Sequence, residues 1–291
     1  MATTAFVEKT RSLLEMIKFS HTIFAFPFAL MGVVLAAKAN QSMPGFGQIF
    51  WICVAMVGAR SAAMGLNRLI DARIDAENPR TAERHIPAGK IRVRDAWIFV
   101  TTSLAIFLLA AWMLNPLCFT LAPVAIGLFV LYAYCKRFTA MAHVVLGICL
   151  AAAPIGAWVA LRGELGLPVI FLGLAVLFWV AGFDIFYALQ DVDYDQTKGL
   201  YSIPSRLGVE RSIRLVRIFH CLMLFFLLLV LPGSGLGWIY FTGVFVVAGM
   251  LFYEHRLVKA NDLSKLDAAF FNMNGYISVT IFAFTLVDAV V

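Results

Sequence analysis

Residues 168–195 read PVIFLGLAVLFWVAGFDIFYALQDVDYD. From Pro168 to Phe183 there is no charge and no alternation of polar with apolar positions, so the stretch is neither an amphipathic surface helix nor a barrel strand. With the residues that follow, it reaches the roughly 20 needed to cross the hydrocarbon core of a bilayer as a helix. Asp184 then interrupts the run. An ionised carboxylate at that depth costs about 2.5–3.5 kcal/mol on insertion scales, so such a residue faces a cavity or a partner. Asp191 and Asp195 follow, which on a helix puts them on the same face as Asp184, while Asp193 points elsewhere. The stretch is a membrane helix that leaves the bilayer through a row of acids.

Outward from it lie eight more apolar runs, at roughly 19–37, 46–66, 96–114, 116–134, 143–161, 213–232, 236–253 and 270–290. The chain has 291 residues, 62% of them apolar and only 14% charged, against about 25% charged in an ordinary soluble domain. Its mean hydropathy is +0.88. These values exclude a soluble globular protein, a disordered chain and a secreted disulfide scaffold. They predict an all-α membrane protein of nine transmembrane helices, forming a single integral-membrane domain over residues 1–291. The first run is long enough to span, so no cleavable signal is expected. Short turns rich in Gly, Pro or Asn alternate with two long charged stretches, about 67–95 and 190–212.

Sidedness follows from the basic residues. With a cytoplasmic N-terminus, only Lys38 and Arg162 of the 23 Lys and Arg fall on the far side. That bias orients the chain and, with an odd number of spans, places the C-terminus outside a bacterial inner membrane. The net charge of +6 therefore reports orientation, not nucleic-acid binding. Nearly all the acids share the basic side, with Glu164 and Asp288 as outliers. Asp and Glu contribute little to orientation, so this clustering has another cause. The cysteines at 53, 118, 135, 149 and 221 have no metal-ligand spacing and read as small packing residues.

The second run leads directly into Asn67, Asp71 and Asp75, spaced i, i+4, i+8 and so forming one helical stripe. Adjacent carboxylates repel unless a cation lies between them. Hard oxygen donors suit Mg²⁺, which takes one or two carboxylates and completes its shell with water and substrate phosphates. A solvated helix end accounts for one such stripe; a second, at Asp191 and Asp195, suggests two halves of one site for a diphosphate. Arg80 and Arg84 follow the first stripe, and Lys198 and Arg206 the second. Tyr132 and Lys136 stand i, i+4 at the end of the fourth run. Arg60 precedes Asn67 by two turns on the same face, inside the second run.

These motifs resemble the UbiA superfamily of intramembrane aromatic prenyltransferases. The resemblance rests on Asn67, Asp71 and Asp75 with Arg84, Pro87 and Gly89, on Tyr132 with Lys136, on Asp191 with Asp195, and on the opening Lys18–Pro27 segment. It covers essentially the whole chain. One departure is Arg68, where many members have Asp; position 68 lies off the stripe. The resemblance implies nine helices around a central cavity in which a polyprenyl diphosphate and an aromatic acid react. Mg²⁺ is expected on Asp71, Asp75, Asp191 and Asp195, supported by Asn67. Lys136, Arg80, Arg84, Lys198 and Arg206 are expected on the diphosphate, and Tyr132 beside the allylic cation. Asp184 is the expected partner of the acceptor phenol, and Arg60 and Lys18 those of its carboxylate. The default acceptor is 4-hydroxybenzoate, in ubiquinone or menaquinone synthesis, with 1,4-dihydroxy-6-naphthoate as the alternative. An ion-coupled transporter is the distant rival, but its polar groups would gather near mid-membrane. No obligate protein partner is inferred. The five histidines share no spacing, and none is assigned to metal.

Overall fold

Backbone removed from water must satisfy its hydrogen bonds within the segment, and a helix does so. The computed structural model describes residues 12–13, 15–17, 26–258, 263, 266 and 272–291, and a helix lies on each apolar run. In chain order these are α1 (Phe26–Asn40), α2 (Phe46–Ile70), the short α3 (Ala72–Glu77), α4 (Val93–Leu114), α5 (Pro116–Cys135) and α6 (Ala142–Arg162). There follow α7 (Leu167–Ala188), α8 (Val192–Lys198), α9 (Ile203–Leu207), α10 (Val209–Val230), α11 (Trp238–Leu257) and α12 (Asn274–Val290). Among the described residues, 6 helices are long and apolar enough to cross a membrane: α2, α4, α5, α6, α7 with its continuation through α8, and α10. The helices α1 and α12 are apolar but shorter, and α11 carries His255 and Arg256 in its last turn.

Boundaries follow local chemistry. Pro168 sits in the first turn of α7, where its missing N–H costs nothing. Gly163 closes α6 in the left-handed conformation, at φ 68°, which a Cβ would oppose.

The chain divides into two compact units: Met1–Thr22 with Ile49–Tyr134, and Ile23–Gln48 with Cys135–Val291. In the first, α2 lies against α4 because Gly58 and Gly65 have no side chain. A Cβ on Gly65 would stand 2.5 Å from Val100 Cγ2, and one on Gly58 3.0 Å from the Phe107 nitrogen. Small residues of this kind let membrane helices approach closely. Met16, Ile17, Ile86, Ile91 and Ala96 form a buried apolar cluster beneath the charged stretch after α3.

In the second unit α7 is the central helix, packed by α6 and α10, with Leu172, Trp179, Ile185 and Phe186 fully buried. A Cβ on Gly147 of α6 would lie 2.5 Å from the Leu177 carbonyl oxygen of α7. The two acidic outliers acquire structural roles at the α6–α7 turn and the start of α11. Arg162 Nη2 pairs with Glu164 Oε1 at 2.5 Å, and its Nη1 donates to Asn40 Oδ1 at 2.6 Å. Asp288 accepts the amides of Gly237 and Tyr240 at 2.8 and 2.7 Å, capping α11 from α12, while Lys38 Nζ donates to its carbonyl. The basic and acidic residues that stood apart in the sequence thus satisfy each other.

Candidate active site

The helical period of α2 continues past its last residue. Asp71 N donates to the Asn67 carbonyl at 3.0 Å and Asp75 N to the Asp71 carbonyl at 2.8 Å, so Asn67, Asp71 and Asp75 do share one face. Both aspartates are 3% exposed. Asn67 Nδ2 donates to Asp71 Oδ2 at 3.2 Å. The stretch after α3 folds back through Thr81, whose hydroxyl donates to the Asp75 carbonyl, and through turns at Asn78 and Thr81. That return brings Arg84 Nη1 to 2.7 Å from Asp75 Oδ1. Gly89, at φ 69°, supplies the left-handed turn that ends this segment. Arg68 is buried, donates from Nε to the Met16 carbonyl, and holds Nη1 4.0 Å from Asp75 Oδ2. Position 68, off the stripe in sequence, therefore bears on the stripe electrostatically. The 4.0 Å contact is an ion pair without a hydrogen bond, and Asp75 Oδ2 is a buried carboxylate oxygen with no hydrogen-bond partner.

In the second unit, α7 ends at Ala188 and a 3₁₀ turn, Leu189–Asp191, leads into α8. Asp191 is the N-cap of α8; Asp195 faces back toward the chain that follows, while Asp193 is exposed. Ser202 donates to Asp195 Oδ2 at 2.8 Å and forms a capping box with Ser205 at the start of α9. The Tyr201 amide donates to the Lys136 carbonyl at 2.8 Å. Asp184 Oδ2 lies 2.7 Å from His143 Nδ1.

The structure thus joins Asn67 with Asp71 and Asp75 with Arg84 in one unit, and ties Asp195 and the main chain of Lys136 to the Tyr201–Ser202 turn in the other. Arg80 and Lys198 are exposed. Arg206 is exposed too, its guanidinium 4.1 Å above the Tyr201 ring. Tyr132 and Lys136 are half-buried. Arg60 is half-buried within α2, with its Nε buried and without a hydrogen bond. Lys18 lies outside the described residues. Three residues escaped the sequence reading: Arg68, Ser202 and His143. The Ser202-x-x-Ser205 spacing just before an apolar turn is a capping signal, and Arg68 precedes Asp75 by two helical turns; His143 carries no local signal.

Among the described residues, no three His, Cys, Asp or Glu side chains stand close enough to hold a metal by themselves. The donor set fits Mg²⁺ in another way. Paired carboxylates, one with a buried oxygen still lacking a hydrogen bond, offer what Mg²⁺ takes from protein when phosphate oxygens and water complete its shell.

The chain is a member of the UbiA prenyltransferase family, whose pattern matches residues 25–276, and it is an integral-membrane prenyltransferase. It is 31% identical over 265 residues to the 4-hydroxybenzoate octaprenyltransferase of Nitrosospira multiformis, covering 90% of this chain and 89% of that one. The enzyme of the same name from Vibrio campbellii is 28% identical over 244 residues, covering 84% and 85%. Among solved structures, a UbiA homologue from Aeropyrum pernix in its apo form superposes with a TM-score of 0.82 at 30% identity, over 92% of this chain and 98% of that one. A UbiA homologue from Archaeoglobus fulgidus bound to GPP and Mg²⁺ superposes with a TM-score of 0.70 over 96% and 100%; at 18% identity that likeness concerns the fold.

Proposed function

We propose that this protein transfers a polyprenyl group from a polyprenyl diphosphate to 4-hydroxybenzoate, with Mg²⁺, in respiratory quinone synthesis at the cytoplasmic face of a bacterial inner membrane. It acts as one integral-membrane domain of nine spans. The carrying observation is Asp75, a buried carboxylate with Arg84 on one oxygen and no hydrogen bond on the other. The names of the relatives support the acceptor, and the archaeal structure with GPP and Mg²⁺ supports the donor and the metal.

Asp71, Asp75, Asp191 and Asp195 hold Mg²⁺, with Asn67 orienting Asp71. When bound, Mg²⁺ neutralises charge on the departing diphosphate. Arg84, Arg80, Lys136, Lys198 and Arg206 donate charge-assisted hydrogen bonds to its oxygens. The allylic carbon–oxygen bond breaks with both electrons leaving on diphosphate, and Tyr132 turns its ring face to the resulting cation. A ring carbon of the acceptor then forms the new carbon–carbon bond, and the proton on that carbon passes to the released diphosphate as the ring regains aromaticity. Asp184 receives the acceptor hydroxyl on the oxygen that His143 does not hold. The buried Nε of Arg60, with Lys18, receives the acceptor carboxylate.

The test is prenyl transfer by the purified protein in detergent, using geranyl diphosphate with 4-hydroxybenzoate and 1,4-dihydroxy-6-naphthoate in parallel. Product from 4-hydroxybenzoate that disappears with EDTA, and in the Asp71→Ala, Asp191→Ala double variant, is the expected result. Product from the naphthoate alone would reassign the acceptor. Metal-independent turnover would remove the carboxylates from the role given them.

A further inference from the structure

His143 is the second residue of α6 and is 4% exposed. Both of its ring nitrogens are engaged. The backbone amide of Ile203 donates to Nε2 at 3.3 Å. An amide N–H only donates, so Nε2 carries a lone pair and the ring proton is on Nδ1. Nδ1–H therefore donates to Asp184 Oδ2, 2.7 Å away. With both nitrogens committed, the imidazole does not exchange a proton with a substrate. Its effect lies in what it connects.

Asp184 is upstream of the 3₁₀ turn at Leu189–Asp191, and Asp195 is downstream of it. An α-helix interrupted by a 3₁₀ turn does not hold its two parts in a single register. The part beyond the turn needs a tie from elsewhere, and His143, on a different helix, supplies it. Ile203 follows Ser202, whose hydroxyl donates to Asp195 Oδ2. A continuous set of bonds thus runs from Asp184 through the His143 ring and the Ser202–Ile203 peptide to Asp195.

We propose that His143 is a positioning residue that locks the acceptor-side carboxylate, Asp184, to the diphosphate-side carboxylate, Asp195. The roles of the two carboxylates rest on the prenyl-transfer reading above; the lock itself does not. Loss of the Ile203 half of the bridge loosens the Tyr201–Ser205 turn and weakens diphosphate binding. Loss of the Asp184 half leaves that turn intact and disturbs the acceptor.

Two amides separate the halves. His143→Asn keeps a donor where Nδ1 stands and removes the acceptor for Ile203; His143→Gln keeps an acceptor where Nε2 stands and removes the donor to Asp184. In His143→Asn, amide hydrogen exchange across residues 199–207 should quicken about tenfold, the worth of one net hydrogen bond. The KM for geranyl diphosphate should rise about tenfold as well, with the acceptor KM unchanged. In His143→Gln, exchange and the diphosphate KM should stay near wild type while the acceptor KM rises. Equal exchange across 199–207 in wild type, His143→Asn and His143→Gln overturns the proposal. So does an equal fall of both variants in thermal stability with neither KM moved, since a general packing role predicts that. If the wild type transfers no prenyl group, the functional reading fails, and the exchange measurement still decides the role of His143.

Discussion

Replacing Arg84 by Ala should destabilise the protein more than replacing Arg84 and Asp75 together by Ala and Asn. The Asp75 side chain is 4% exposed, its Oδ1 is 2.7 Å from Arg84 Nη1, and Arg84 is 24% exposed. Removing one partner of a buried ion pair costs about 3–5 kcal/mol, mostly because the other charge stays behind unpaired. Arg84 has some access to water, and Arg68 Nη1 remains 4.0 Å from the other oxygen. The cost of Arg84→Ala is therefore set lower, at about 2–3 kcal/mol. In the double variant position 75 no longer carries a charge left without Arg84, and the loss should be about 1–2 kcal/mol, that of a single hydrogen bond to a charged group. At about 2–4 °C per kcal/mol, Arg84→Ala should unfold about 4–12 °C below wild type and the double variant about 2–8 °C below. The assay is thermal unfolding in detergent without metal or diphosphate, at one heating rate. Detergent unfolding is commonly irreversible, so the order of the variants is the quantity to read. A double variant that falls by the sum of the two single losses would refute the reasoning, since additivity means the groups are uncoupled.

Asp288→Ala removes the shared acceptor of the Gly237 and Tyr240 amides at the start of α11. It should cost about 2–4 kcal/mol, with Asp288→Asn intermediate and turnover per folded molecule unchanged; both follow from unfolding midpoints and single-concentration activity. Gly147→Ala should lower the midpoint, by about 1–3 kcal/mol of overpacking, because the new Cβ meets the backbone of Leu177 at 2.5 Å. Gly156→Ala, on the same helix with nothing within 4 Å, is the control and should not. Arg60→Gln should raise the KM of the aromatic acid about 10- to 100-fold, the worth of a charge-assisted hydrogen bond, and leave that of geranyl diphosphate unmoved. An equal rise in both would take Arg60 off the acceptor carboxylate.

What could be read directly from the chain is what depends on neighbours a few residues apart. The length of each apolar run set the position of each helix, and α2, α4, α5, α6 and α7 lie within a few residues of their expected spans. The spacing of Asn67, Asp71 and Asp75 put them on one face because the i to i−4 hydrogen bond is local, and it persists through Asp75. Arg84 was read as a cation for a diphosphate, and the fold sets it on Asp75.

Other features required the tertiary structure. Arg68 was set aside as off the stripe, yet it precedes Asp75 by seven residues, two helical turns on one face, and its guanidinium lies beside that carboxylate. Asp184 was read as an acid awaiting substrate, and packing gave it His143, 41 residues away, with Ile203 a further 60 residues along from that histidine. Asp288 stood out of place among the charges until α12 laid it across the start of α11, 51 residues earlier. The sequence by itself determined which segments are helices, which faces are acidic and the family to which the chain belongs, because periodicity and run length act over one or two turns. Only the tertiary structure decided which partners hold Asp75, Asp184, Asp195 and Asp288. That choice depends on how closely helices approach, and a missing Cβ such as that of Gly147 sets the approach between segments far apart in the chain.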